Sequence, residues 1–217
     1  MTHRDARFGL VEACVALFFV AGLWVVAMAG DAEPADGMIA SPEKGWPQFR
    51  GPRRDGISTE TGLLKNWPAV GPKLLWKIGE IGRGWSSPIG VGDSLFINGD
   101  VAGECTIFCL NLKGEITWKA VNGAAWTKHY PGARASCVFS EGVLYHLNSY
   151  GRVAALEAAT GKELWTLNIL KQFEGQNIIW GLSECLLVDG PRLIVTPGGT
   201  AALMAALNKK TGKTVWT

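Results

Sequence analysis

Histidine is scarce in this sequence. His3, His129 and His146 are all there is, and no two stand at a metal-binding spacing. There is no H-E-x-x-H, no C-x-x-C-H, no G-x-S-x-G and no glycine-rich phosphate loop. The signatures of a zinc hydrolase, a c-type haem protein, a serine hydrolase and a nucleotide enzyme are therefore missing. Charge is sparse too: 18% of 217 residues, with a formal net charge of +2. No stretch is rich in Lys and Arg, so nothing here has the basic footprint of a nucleic-acid binder. The five cysteines include no adjacent pair. What the chain has is apolar residues (47%), 28 glycines and 10 tryptophans. That is too apolar for a disordered chain, and the glycines fit many tight turns between short strands.

The organising stretch is Thr160-Gly161-Lys162-Glu163-Leu164-Trp165. It recurs as Thr211-Gly212-Lys213-Thr214-Val215-Trp216 and, in degenerate form, as Lys113-Gly114-Glu115-Ile116-Thr117-Trp118. A weaker echo is Leu74-Leu75-Trp76. Successive tryptophans at 76, 118, 165 and 216 are 42, 47 and 51 residues apart. A small residue, a Leu and a polar residue precede each copy: Cys109-Leu110-Asn111, Ala155-Leu156-Glu157 and Ala206-Leu207-Asn208. Earlier still, an apolar run is broken by a tight turn, as in Val138-Phe139-Ser140-Glu141-Gly142-Val143-Leu144-Tyr145. Each unit reads as four short antiparallel strands, and the period is that of a propeller blade.

The pattern A-L-[DN]-x-x-T-G-x-x-x-W resembles the quinoprotein-type (PQQ-like) β-propeller repeat, over roughly residues 46–217. The expected fold is all-β: a partial β-propeller of four-stranded antiparallel blades, about three of them, plus one leading strand. The first unit is expected at about 85–118, the second at about 134–165 and the third at about 180–216. Leu74–Ile78 reads as a lone fourth strand with no blade before it. Three units do not close a ring of about four to eight blades. The expected molecule is the N-terminal part of a longer propeller, or else an arc completed by a second copy.

Residues 1–30 read as a signal peptide or N-terminal membrane anchor. The run 13–30 is uncharged, long enough to attach to a membrane, and ends in the small-x-small site Ala27-Met28-Ala29. Both readings export the rest. Residues 31–45 read as a linker. Residues 46–73 read as an irregular lead that lies across the blades and buries Trp46, Phe49 and Trp67. Residues 74–217 are the repeats. The lead resembles the W-x-x-F/W-R-G-x-x-x-x-G lead of this family.

Gly114, Gly161 and Gly212 are expected at turns that need positive φ. Trp118, Trp165 and Trp216 are expected to cover the seams between blades, each burying about 150–250 Å². The loops entering the units supply the candidate site: Arg83 and Trp85, then His129, Tyr130 and Arg134, then Trp180. Pseudo-symmetry brings them together at one mouth of the central channel, as a site for a small ligand or a peptide. The alternative is that these aromatics only pack the blade entrances. Glu184 is the carboxylate expected to line the channel. No catalytic or metal-binding residue is assigned.

Cys105, Cys109, Cys137 and Cys185 are expected as buried free thiols, because matching positions in adjacent blades exceed the reach of a disulfide. The resemblance implies two functions. One is an exported, non-catalytic scaffold without cofactor that binds protein partners in the cell envelope, as the propeller subunit of the outer-membrane β-barrel assembly machinery does. The other is a fragment of a PQQ-dependent alcohol or sugar dehydrogenase, with PQQ and Ca²⁺ held mostly outside this chain. PQQ-dependent dehydrogenases characteristically show the adjacent cysteine pair that this chain lacks. A structural or degenerate repeat remnant is the third reading.

Overall fold

The computed structural model describes residues 45–217. The targeting segment expected at 1–30, and the linker up to residue 44, lie outside the described residues.

Three antiparallel sheets follow one another along the chain. The first holds β2 (Ile89–Val91), β3 (Ser94–Val101), β4 (Glu104–Asn111) and β5 (Ile116–Ala124), with β1 (Gly45–Trp46) added beside β2. The second holds β6 (Val138–Ser140), β7 (Val143–Leu147), β8 (Arg152–Glu157) and β9 (Glu163–Asn168). The third holds β10 (Leu187–Asp189), β11 (Arg192–Val195), β12 (Ala205–Asn208) and β13 (Thr214–Trp216). The one helix among the described residues, α1 (Ile169–Gln172), is a single turn. Asn168 caps it, its side chain accepting from the Lys171 N–H at 3.0 Å. The chain is all-β, built as consecutive blades of a partial β-propeller.

Strand periodicity explains how the sheets stack. Successive side chains alternate between faces. In the second sheet Tyr145, Leu147, Val153 and Ala155 enter one core with Leu186, Leu193, Val195, Ala205 and Leu207 of the third unit. Leu144, Ala154 and Leu156 enter the other, with Ile89, Phe96, Ile107 and Cys109 of the first. The middle sheet is thus covered on both faces. A one-residue register slip would exchange the two sets of side chains.

The recurring small-Leu pair has a local cause. In each sheet the small residue faces the repeat tryptophan: Cys109 with Trp118, Ala155 with Trp165, Ala206 with Trp216. The register shifts between that residue and the following Leu in all three sheets. A small side chain leaves room for the indole across the strand, and the bulge re-aims it.

Three indoles, those of Trp76, Trp118 and Trp165, meet the next unit. Trp76 Nε1 donates to the Leu112 carbonyl at 2.8 Å, Trp118 Nε1 to Ala158 at 3.1 Å, and Trp165 Nε1 to Lys209 at 2.9 Å. The ring lies against the turn glycine. A β-carbon on Gly114, Gly161 or Gly212 would stand 2.5, 2.5 or 2.7 Å from Cε3 of Trp76, Trp118 or Trp165. These glycines also have φ of +82°, +74° and +70°, so both backbone and space favour the missing side chain. Trp216 is 39% exposed.

Two expectations about the lead need correction. Residues 74–78 form no strand. Leu74 and Leu75 are exposed, and no ladder pairs them; only the Trp76 indole is engaged. The lead does cross the blades, but Phe49 and Trp67 are exposed rather than buried, and Trp46 is half-buried. Polar contacts make the crossing instead. Gly45 and Trp46 pair with Val91 and Gly90 of the first sheet. The Pro47 carbonyl accepts from the Phe139 N–H of the second at 2.8 Å. The Arg54 guanidinium donates to the Leu186 carbonyl at the third. One segment thereby touches the leading strand, or the residue just before it, of every unit.

Candidate functional site

The loops that enter the three units carry three exposed aromatic residues, Trp85, Tyr130 and Trp180. The first two loops are stitched by backbone. Trp85 N–H donates to the Ala133 carbonyl at 2.7 Å, and Ala133 N–H to the Arg83 carbonyl at 3.1 Å. The approach is close because neither chain carries bulk. A β-carbon on Gly132 would stand 3.1 Å from the Gly84 α-carbon. The Trp85 indole then reaches the same loop, donating to the Pro131 carbonyl at 3.2 Å.

Arg134 shapes that loop from inside. Its Nη2 donates to the carbonyls of His129 (2.7 Å) and Tyr130 (2.6 Å), closing the loop on itself. Tyr130 takes φ +50°, a left-handed conformation uncommon outside glycine, which turns its ring outward. The guanidinium also lies 5.8 Å from the centroid of Trp126, a buried indole that stacks obliquely on Tyr150 at 5.1 Å. Lys128 approaches Trp126 at 5.7 Å. The Trp126 N–H donates to Asp100 Oδ2 at 2.8 Å. Burial raises the Asp100 carboxyl above its ordinary pKa, against the lowering effects of the Trp126 N–H, the Cys105 thiol and the Arg134 charge.

The third loop completes the surface. The Trp180 ring meets His129 at 5.6 Å and Tyr130 at 5.5 Å, in edge and tilted contacts. Leu182 N–H donates to the Ser149 carbonyl at 3.1 Å and so fixes the loop to the second sheet. Trp85, Tyr130 and Arg134 flank a shallow, open depression.

Of the seven residues the sequence nominates, six come together: Arg83, Trp85, His129, Tyr130, Arg134 and Trp180. Glu184 does not join them. Its Oε2 accepts from both the N–H (3.1 Å) and the hydroxyl of Thr196. It stands near Arg54, whose pKa burial lowers while Cys185 and Glu184 oppose the shift.

Sequence reasoning did not nominate Trp126, the buried platform, or Ile178 and Ile179 beside Trp180. Trp85 (61%), Tyr130 (63%), Ile178 (52%), Ile179 (59%) and Trp180 (48%) are all exposed. An isoleucine pair outside any alternating strand was the available signal.

Within the site the Cys105 thiol lies beside Asp100, and burial with Asp100 pushes that thiol up to about 12. Among the described residues no group of three or more His, Cys, Asp or Glu side chains is placed to hold a metal ion. His146, in β7, is buried against Asn122 of β5. Its Nδ1 meets Asn122 Nδ2 at 2.7 Å, and burial lowers its pKa to about 4, opposed in part by the Ala135 backbone.

The family model described as outer membrane protein assembly factor BamB matches residues 103–217. Quinoprotein ethanol dehydrogenase of Pseudomonas aeruginosa is 35% identical over 85 residues, which is 39% of this chain and 13% of that protein. The 1-butanol dehydrogenase (quinone) of Thauera butanivorans is 32% identical over 128 residues, 52% of this chain and 20% of that one. The chain thus spans a fifth or less of these curated relatives. Among solved structures, quinohemoprotein alcohol dehydrogenase from Comamonas testosteroni matches with a TM-score of 0.58 at 21% identity, over 82% of this chain and 27% of that one. At that identity the likeness speaks to fold. Repeat spacing, stacked four-stranded sheets and a family match over more than half of the residues lead to one conclusion: the chain belongs to the PQQ-like β-propeller repeat family.

Proposed function

We propose that this protein is an exported PQQ-like propeller that acts without chemistry, as a binding scaffold in the cell envelope. Its partners are proteins, and they dock on the loops at 83–85, 126–134 and 176–182. The observation that carries this reading is the set of five large exposed side chains held in place by ring contacts and backbone bonds. A soluble protein rarely presents so many together without a partner. Export is supported by the uncharged run at 13–30 and its small-x-small end, which either is cleaved or attaches the protein to the membrane. The description of the matching family as an outer membrane assembly factor agrees with an envelope location. The contacts of Trp76, Trp118 and Trp165 with the next unit's turn serve, in this reading, to dock blade on blade and keep the loop surface rigid.

The test is affinity capture from a cross-linked envelope fraction, with wild-type protein and a Trp85→Ala/Trp180→Ala double variant. A partner retained by the first and lost by the second supports the proposal. Equal recovery on both removes the loops from partner binding.

A second reading has a specific observation behind it. The sequence relatives at 35% and 32% identity are quinone-linked alcohol dehydrogenases. In that reading the chain is part of such an enzyme, and the residues that hold PQQ and Ca²⁺ come largely from elsewhere. Titration with PQQ and Ca²⁺, followed by dye-linked alcohol oxidation, separates the two. Turnover would establish the enzyme.

A further inference from the structure

The three loops of the candidate site have a one-sided charge pattern. Between them, residues 83–85, 126–134 and 176–182 hold Arg83, Lys128 and Arg134, and they contain no Asp or Glu. Arg83 and Lys128 are exposed. Arg134 lies beside Trp85 and Tyr130 while its Nη2 holds the loop. Asp100 behind it is engaged with the Trp126 N–H. The same loops carry Trp85, Tyr130, Ile178, Ile179 and Trp180 in the open.

From this juxtaposition we infer that the surface recognises an acidic peptide segment bearing an aromatic or large aliphatic anchor. The inference rests on the scaffold reading and names the partner's chemistry. The anchor packs on the shallow surface between Trp85 and Tyr130, where ring faces supply area at little entropic cost because the rings are already fixed. Flanking Asp or Glu side chains meet Lys128 and Arg83, which speeds encounter and rejects basic segments.

The experiment is selection of a random peptide display library on the full chain. Affinities of the selected peptides are then measured for wild type, Lys128→Glu, Lys128→Arg and Ile178→Ser. Both altered side chains are exposed, and circular dichroism confirms that each variant folds. The expected result is enrichment of net-negative peptides containing Trp, Phe or Leu. Their affinity falls about tenfold on Lys128→Glu and on Ile178→Ser, and recovers on Lys128→Arg. It also falls as salt is raised. Neutral or basic winners, or affinities blind to Lys128, overturn the inference. Vesicles containing phosphatidylglycerol form a parallel arm, and capture by these vesicles in place of peptides overturns it in favour of a membrane. Site-specific cross-linking at residue 178 in cells reads the scaffold proposal separately. A protein adduct there, with no acidic peptide selected, sinks the inference and leaves the scaffold standing. No adduct and no peptide sinks both.

Discussion

The Trp118 indole fills the space that a side chain on Gly161 would need. Its Cε3 lies 2.5 Å from the position of the missing β-carbon, while its Nε1 donates to the Ala158 carbonyl three residues before that glycine at 3.1 Å. The donor comes from the first sheet and the turn from the second, so this contact joins neighbouring units. Trp76 with Gly114, and Trp165 with Gly212, repeat it.

Gly161→Ala therefore meets two penalties at once, a steric clash and a φ of +74°. The expected loss is about 2–4 kcal/mol, read as a lower midpoint in urea denaturation. Gly142→Ala is the control. Its φ is +81°, but nothing lies within 4 Å, so only the backbone cost of about 1 kcal/mol remains. Equal losses at both positions would show that the indole does not press on Gly161.

His146 makes folding sensitive to acid. Burial lowers its pKa to about 4 from an ordinary 6.5. The unfolded chain takes up a proton below pH 6.5, whereas the folded protein resists it down to about pH 4. The stability is complete above pH 6.5 and falls through that window by about 1.4 kcal/mol per pH unit, roughly 3 kcal/mol in all. Denaturation at pH 7.5, 6, 5 and 4 on wild type and His146→Gln measures it, in conditions set roughly by the ordinary histidine range. A shallower slope in the variant is expected, and parallel curves would remove His146 as the cause.

Three of the four described thiols should be silent. Cys105, Cys109 and Cys137 are buried and unpaired, and Cys185 is partly exposed. Burial, together with Asp100, pushes Cys105 up to about 12, and burial also raises Cys137 strongly. Thiolate is the reactive form, so of these four only Cys185 should react with Ellman's reagent in the native state. Reaction of Cys137 before unfolding would contradict its placement.

Arg54 joins the lead to the third unit through the Leu186 carbonyl and to its own segment through Gln48 at 2.9 Å. Arg54→Ala should cost about 1–2 kcal/mol and speed limited proteolysis near residues 50–56. Unchanged cleavage would mean that Pro47 and the Gly45–Trp46 pairing hold the segment alone.

Much of this was legible in the sequence, for identifiable reasons. The acidic-Gly and Thr-Gly turns punctuate the strands so regularly that the strands of all three units lie near their expected positions. The loop residues come together because a repeat returns equivalent loops to the same end of successive sheets. The missed features have no period to reveal them. β1 is two residues long beside a proline, and α1 is a single turn defined by the Asn168 cap. Leu74–Ile78 looks like a strand by composition, but a strand needs a partner, and no described strand pairs with it. Glu184 was nominated by position alone, and Thr196 claims its carboxylate. Ile178 and Ile179 read as filler in a loop, and only their exposure gives them meaning.

The most direct test of docking at the loop surface is photo-cross-linking in the native envelope. A benzophenone side chain is placed at Ile178 or Tyr130, and at exposed Leu112, outside these loops, as control. Docking at the loops requires a discrete protein adduct from 178 and 130, weakened by Lys128→Glu, with none from 112. No adduct from the loops, or the same adduct from all three positions, would contradict it.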